Sequence, residues 1–395
     1  MRKALFFIGG TIFAKSITVL TLPYLTRALS TSGYGELSYL NSILAFFVII
    51  INLGGDAGIL RFSKYYGKSW EYISFKISVG LGLCTSVFIV IAYWLIGTGS
   101  FQVAIILVIT SLSQFIVGLI YSIYRANNRN TEYIFAQVML STIWLISTVT
   151  IVELVSNEPI SRILSLLIAS VTVLLLFLYK DSSFLKTVKK TKVNYQHVRE
   201  FCIFSLPLLL HGIANTIKSN FDKIYLYKTV DTSFLGIYSA ANQLASIFLM
   251  LILIINQYFV PIVYSGIKEG SINIYKLKKY SIFSFAFVFI LPLITFFIPE
   301  KYFTYILGEG FEGVKYYSLL FLTSTLMMIP YLILVNHHFY HGDTKRVSVI
   351  NLLSVLVYIL LVLFFSKISV SYIPYASIVS VMVLYFGVYS ISVKK

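Results

Sequence analysis

The stretch LTRALSTSGYGELSYLN at residues 25–41 returns, diverged, as LYKTVDTSFLGIYSAAN at residues 226–242. Leu25, Thr31, Ser32, Gly35, Ser38 and Asn41 recur as Leu226, Thr232, Ser233, Gly236, Ser239 and Asn242, every pair 201 residues apart. That shift is about half of the 395-residue chain, and each copy follows the first apolar segment of its half. A duplicated block of membrane helices explains both facts, and duplicated helical halves are a common transporter architecture.

The composition around the repeat agrees. Hydrophobic residues make up 58% and charged residues 12% of the chain, and mean hydropathy is +0.86. A soluble domain is about a quarter charged, so the chain reads as an all-α polytopic membrane protein. Apolar runs of about 20 residues, each able to cross a hydrocarbon core of roughly 30 Å, recur between short polar breaks. Twelve are expected, near residues 4–26, 37–57, 74–97, 102–124, 133–152 and 160–179 in the first half, and 201–227, 234–264, 280–299, 315–336, 348–366 and 369–391 in the second. The first is not read as a cleaved leader, because Lys15 sits in its middle and no small-residue cleavage site follows. Prolines at 23, 207, 261, 292, 330 and 374 fall within or beside spans and can kink them.

The formal net charge of +16 could point to nucleic acid, but the basic residues alternate by side. With both termini cytoplasmic, 22 of the 31 Lys and Arg fall in inward segments, from Arg2 and Lys3 through the 180–199 connection to Lys394 and Lys395. Arg27, Arg162, Lys228, Lys301, Lys315 and Lys367 fall outward. That asymmetry is the positive-inside signal, and no nucleic-acid partner is expected. The basic segments can also meet anionic membrane lipids. Cys84 and Cys202 lie in or beside apolar spans and read as small hydrophobes.

The longest polar connection separates span six from span seven. The expected organisation is therefore an N-terminal lobe at residues 1–180, a cytoplasmic linker at 181–200 and a C-terminal lobe at 201–395. Six spans per lobe bring both copies into the membrane from the same side, which makes the repeat parallel.

Charges inside spans carry the functional signal. Lys15 lies near the centre of span one, and Lys218, Asp222 and Lys223 lie in span seven. Each costs about 2.5–3.5 kcal/mol at mid-bilayer on insertion scales, so such groups are expected to face a cavity or one another. At 100° per residue, His211, Asn215, Lys218 and Asp222 fall within about 40° of one line, a polar stripe on an apolar helix. Thr11, Lys15 and Thr18 form a similar stripe on span one. Lys218 and Asp222 are also spaced for an intrahelical ion pair that would merely make each tolerable, and both readings stay open. The inner walls together look cationic, which suits an anionic group such as a phosphate crossing the bilayer. Arg61 and Arg125, at the inner ends of spans two and four, either anchor topology or funnel such a group. His337, His338 and His341 invite a metal reading, but only Asp343 is near enough to complete a site, so no metal is expected. No Gly-rich Lys-Ser/Thr phosphate loop is present; no cofactor is expected, and energy would come from a coupling ion, H+ or Na+, from the membrane potential or from substrate mass action.

Several segments resemble the O-antigen (Wzx-type) polysaccharide flippases. They are Leu22-Pro23-Tyr24-Leu25-Thr26-Arg27-Ala28-Leu29-Ser30 with Gly33-Tyr34-Gly35, Asn52-Leu53-Gly54-Gly55-Asp56 with Arg61-Phe62, Ser205-Leu206-Pro207, Phe221-Asp222-Lys223 and Gly236-Ile237-Tyr238-Ser239-Ala240. Leu307-Gly308-Glu309-Gly310-Phe311 and Gly342-Asp343-Thr344-Lys345 with Asn351 are similar as well. The resemblance implies the multidrug, oligosaccharidyl-lipid and polysaccharide exporter superfamily, with two lobes, alternating access and polyprenyl-diphosphate-linked sugar as cargo. It implies a site in the inter-lobe cavity, where Lys15, Lys218 and Arg61 or Arg125 would meet the diphosphate and sugar acids, with Lys223 in the basic place after Asp222. Expected partners are lipid-linked oligosaccharide, membrane lipids, a glycan polymerase and other assembly proteins, in a bacterial inner membrane. Alternatives are a cation-coupled drug or metabolite antiporter, for which Asp222 is the one mid-span acid, and a lipid II flippase, a group that commonly has two more helices. A membrane glycan polymerase would need an outward catalytic surface, and Glu300, Glu309 and Glu312 supply only a short outward hairpin. An enzyme is therefore not expected.

Overall fold

A computed structural model describes residues 2–96 and 100–391; the side chains of residues 2–8, Thr18 and Ile96 lie outside that description, as do Lys394 and Lys395. The described chain is helical from end to end. α1 (Arg2–Asn52), α2 (Gly55–Tyr66), α3 (Lys68–Ile96), α4 (Phe101–Ala126), α5 (Asn130–Leu154) and α6 (Pro159–Lys180) hold the first six spans. A short α7 (Ser182–Lys190) leads to α8 (Tyr195–Thr229), α9 (Thr232–Lys268), α10 (Ile274–Phe297), α11 (Glu300–Leu307), α12 (Val314–Leu326), α13 (Met328–Tyr340), α14 (Thr344–Ile368) and α15 (Ile373–Ile391). Helices satisfy every backbone group within one segment, which is what a bilayer demands of a chain this apolar.

Among the described residues, eleven helical stretches are long and apolar enough to cross a membrane. The first of them, Gly9–Tyr66, runs for 58 residues, a path of about 87 Å at ~1.5 Å per residue. One crossing needs about 30 Å, so this stretch accounts for both of the first two expected spans. They are separated at Ser30, whose φ of 61° and ψ of 177° are not helical. In the second half α12 and α13 together make one crossing of 27 residues, Val314–Tyr340.

The chain packs as two compact units. One comprises residues 1–29 and 36–216, the other residues 30–35 and 217–395. In the first, α4 packs on α2, α3, α5 and α6, and α5 lies against α6. In the second, α12 and α13 pack on α9, α10 and α15, and α14 lies against α15. The fourth span of each unit thus touches the second, third and sixth, and the fifth pairs with the sixth, the same order in both units. The first core gathers Ile51, Ile59, Phe115, Leu119, Ile120 and Val173; the second is built from Leu277, Leu334, Val335, Val347, Tyr385 and Val388, with a neighbouring group around Val288 and Met327. Ser111 and Ser170, inside spans, return their hydroxyls to the carbonyl four residues back and so add no unsatisfied donor, whereas the hydroxyls of Ser74, Ser78, Ser205 and Ser318 are buried without a partner among the described residues.

The connection at residues 181–200 is itself helical. α7 sets Val188 into the first core with Phe184 and Leu185 beside it and leaves Lys186, Lys189 and Lys190 exposed. Lys76 closes its end by donating to the carbonyls of Lys189 and Thr191, at 3.4 and 2.8 Å. Lysines near the last carbonyls of a helix are stabilising there. The border between the packing units falls inside α8, downstream of this connection.

Candidate functional site

The polar side chains of α8 divide into two groups. His211 and Asn215 are exposed and linked to each other, Asn215 Nδ2 lying 3.1 Å from His211 Nε2. Lys218 and Asp222, three and seven residues beyond Asn215, belong to the second unit. Lys218 Nζ donates to Ser354 Oγ of α14 at 2.9 Å, and Ser354 Oγ lies 3.3 Å from Ser380 Oγ of α15. Asp222 is 2% exposed. It accepts hydrogen bonds from the hydroxyls of Tyr238 on α9 and Tyr358 on α14, and from the Lys223 backbone N–H at 2.9 Å. Tyr238 is wedged edge-on against Phe321, with ring centroids 4.9 Å apart.

Phenol donors explain how a carboxylate survives there, since each charge-assisted hydrogen bond is stronger than a neutral one. Lys223 is half-buried beside Asp222 and acts on it electrostatically. Among the described residues no ion pair joins Lys218 to Asp222. The i,i+4 spacing is satisfied another way: both side chains turn to α14, one to a serine and the other to a tyrosine four residues further along. The bond of Lys218 Nζ is thus to a neutral hydroxyl and not to Asp222.

The first unit has its own buried charge, and it is Arg162, which the side-counting of basic residues assigns to an outward loop. Arg162 is the fourth residue of α6 and is 3% exposed. Its guanidinium lies 3.5 Å from the ring centroid of Trp144 and donates to Thr148, both on α5, and to Thr21 Oγ1 of α1 at 3.3 Å. Trp144 and Thr148 are one turn apart, so a single face of α5 supplies a ring and a hydroxyl to one planar cation. Thr21 is the residue 201 positions before Asp222. At that shared position each unit carries a buried charge bound to its fifth span, a cation reaching Thr21 in one and the anion Asp222 in the other.

The remaining candidates are spread over the first unit. Lys15 is exposed, and Thr11 is half-buried with a partner of its own; the Thr18 side chain lies outside the described residues. Arg61 is exposed on α2 with its guanidinium 4.3 Å from the ring centroid of Phe204, a cation–π placement that also suits simple anchoring. Arg125 is exposed at the end of α4. Asp56 is tied to Asn52, whose amide donates to it at 2.9 Å across the turn between α1 and α2.

At the end of α13, His338 is buried with Nδ1 3.4 Å from Asp343 Oδ2, while His337 and His341 have ring centroids 4.5 Å apart. Among the described residues no three His, Cys, Asp or Glu side chains are placed to hold a metal ion.

Known proteins resemble this chain in sequence and in fold. The family model described as "Polysaccharide biosynthesis protein" matches residues 1–266. The chain is 31% identical to "Lsg locus putative protein 1" of Haemophilus influenzae, over 98% of this chain and 97% of that protein. It is 32% identical to an "Uncharacterized membrane protein" of the same organism, over 97% and 94%. Among solved structures, the lipid II flippase MurJ in an inward closed conformation matches with a TM-score of 0.74 at 14% identity, covering 99% of this chain and 88% of that one. An inward-facing multidrug resistance MATE family transporter of the MOP superfamily matches with a TM-score of 0.63 at 14% identity, covering 94% of each. At such identities these structures speak for the fold, a two-lobe transporter fold. The match over two thirds of its length, together with relatives above 30% identity over nearly all of it, shows that this chain belongs to the polysaccharide biosynthesis protein family.

Proposed function

We propose that this protein is a flippase that carries polyprenyl-diphosphate-linked oligosaccharide units from the inner to the outer leaflet of a bacterial inner membrane, for assembly of surface polysaccharide such as O-antigen or capsule. The observation that carries the reading is Lys218, a cation within an apolar membrane helix whose bond is to the neutral Ser354. A lysine already matched by a carboxylate would offer little to a diphosphate; one held by a hydroxyl keeps its charge available. Lys15 is the corresponding candidate on α1. The sugars would pass through water-filled space while the polyprenyl tail stays in lipid, and alternating access driven by H+ or Na+ would move the load. Membership of a polysaccharide biosynthesis family supports a glycan cargo, with a polymerase acting on the delivered unit.

The cation antiporter reading has less support from this site. Its natural ion ligand, Asp222, already accepts two phenol hydroxyls and a backbone N–H. A lipid II flippase shares the fold, and the cargo separates the two. The test is complementation in a strain lacking this flippase, with Lys15→Ala and Lys218→Ala alone and combined. Surface glycan is expected to fall and lipid-linked oligosaccharide to accumulate, with Lys218→Arg retaining function. Unchanged glycan in all three alanine variants would show the cationic mechanism to be wrong.

A further inference from the structure

At the end of the first unit where α4 and α6 finish and α3 and α5 begin, a pocket of about 530 Å3 is lined by Lys68, Glu71, Asn127, Arg129, Asp181 and Ser183. It plays no part in the reading above. Most of its charges are engaged. Arg129 meets Asp181 at 2.7 Å and Glu132 at 3.1 Å, and the Tyr124 hydroxyl donates to Asp181 at 3.2 Å. Burial opposes the charge on Arg129, but its hydrogen bonds to those two carboxylates outweigh it and hold the guanidinium above its ordinary value.

Two groups remain open. Glu71 is 2% exposed; Oε2 accepts from Asn127 Nδ2 at 2.8 Å, and Oε1 is buried with no hydrogen-bond partner. A buried carboxylate oxygen left without a donor is costly, so the site is chemically incomplete on its anionic side. One turn earlier on α3, Lys68 is exposed at the rim and acts on Glu71 electrostatically. The lining thus holds one buried carboxylate oxygen without a donor and one exposed lysine, with Asp181 and Arg129 already neutralising each other.

The position of the pocket says what reaches it. α7 walls one side with Ser183, Phe184 and Thr187, at the level where the candidate spans Phe101–Ala126 and Pro159–Lys180 end and Lys68–Leu95 and Asn130–Leu154 begin. Lipid headgroups occupy that level.

We propose that this pocket binds a zwitterionic phosphoethanolamine headgroup of a membrane lipid, the ammonium donating to Glu71 Oε1 and the phosphate meeting Lys68 and the Ser183 hydroxyl. The volume fits a headgroup and is far larger than a bare ion needs. A primary ammonium has N–H donors for Glu71, whereas the trimethylammonium of a choline lipid has none.

The test uses the purified full-length protein and native mass spectrometry with ethanolamine, choline and glycerol phospholipids of the same acyl chains. The ethanolamine lipid is expected to be retained about tenfold more than the choline lipid, the ratio one charge-assisted hydrogen bond supplies. Glu71→Gln should remove that preference, with Glu71→Asp read in its place if the glutamine variant fails to fold, and Lys68→Gln should lower retention of both lipids, which share the phosphate. Soluble glycerophosphoethanolamine is included as competitor, and failure to displace the lipid supports the membrane source. Displacement by it at equal concentration would overturn the lipid assignment in favour of a free solute. Equal retention of ethanolamine and choline lipids, preference for the anionic glycerol lipid, a preference that survives substitution of Glu71, or retention unchanged by Lys68→Gln would overturn the site.

Discussion

Asp222 and Arg162 show what a single buried charge needs in order to persist in an apolar helix. Asp222 is held by the Tyr238 and Tyr358 hydroxyls with Lys223 beside it, and Arg162 by the Trp144 ring and the hydroxyls of Thr148 and Thr21, so each depends on keeping its partners. Removing one hydrogen bond to a buried charged group costs about 1.5–3 kcal/mol. Tyr238→Phe and Tyr358→Phe are therefore expected each to lower stability by about that amount, read as a drop in the thermal unfolding midpoint in detergent. Arg162→Lys should also destabilise, because an ammonium cannot lie flat over Trp144 while bonding Thr148 and Thr21; an unfolding midpoint equal to the parent protein's would contradict this. Asp222 was legible in the sequence as an in-span acid. Arg162 was not, because it lies four residues into its span, where a basic residue reads as a loop-side topology signal. The trace that could have exposed it is the Trp144–Thr148 turn on α5 together with Thr21, the very position that aligns with Asp222.

Elements formed where apolar length and punctuation agreed, and ran on where they did not. The first two expected spans share α1 because the break at Ser30 is one residue wide, too short to leave a polar gap. A serine at φ 61°, ψ 177° occupies a region that essentially only glycine enters, at a cost of about 1–3 kcal/mol. Ser30→Gly is accordingly expected to raise stability by about 1 kcal/mol, and Ser30→Val to lower it, both measurable by thermal unfolding. Just past the break lies the repeated motif itself. Gly35 packs so closely that a Cβ would run into the Thr232 carbonyl, and Gly236 meets the Thr31 carbonyl in the same way, with Ser32 Oγ 2.6 Å from Thr232 Oγ1. The repeated glycines are thus reciprocal: each makes room for the threonine that precedes the other in its own motif copy. Gly35→Val or Gly236→Val should force these segments apart and reduce folded yield, while Gly80→Ala, where a Cβ would meet no atom within 4 Å, should not.

At the scale of the molecule, the 201-residue repeat became two units with the same internal order of helix contacts, a pattern visible in sequence because hydropathy sets each span and the duplication sets their order. Charge placement carries orientation as well. A protease site inserted between Lys190 and Tyr195 is expected to be cut in inside-out vesicles and spared in right-side-out ones, and the reverse result would invert the topology. What sequence could not convey is which charges bond to which helices, since that depends on contacts more than a hundred residues apart, such as Lys218 with Ser354. The flippase reading rests on those charges and on the family. Its most direct test is transport: the purified protein reconstituted in liposomes with the labelled polyprenyl-diphosphate oligosaccharide that accumulates when its gene is deleted. The prediction is protein-dependent movement of that lipid-linked sugar to the opposite leaflet, weakened by Lys218→Ala; movement no faster than in protein-free vesicles would contradict it.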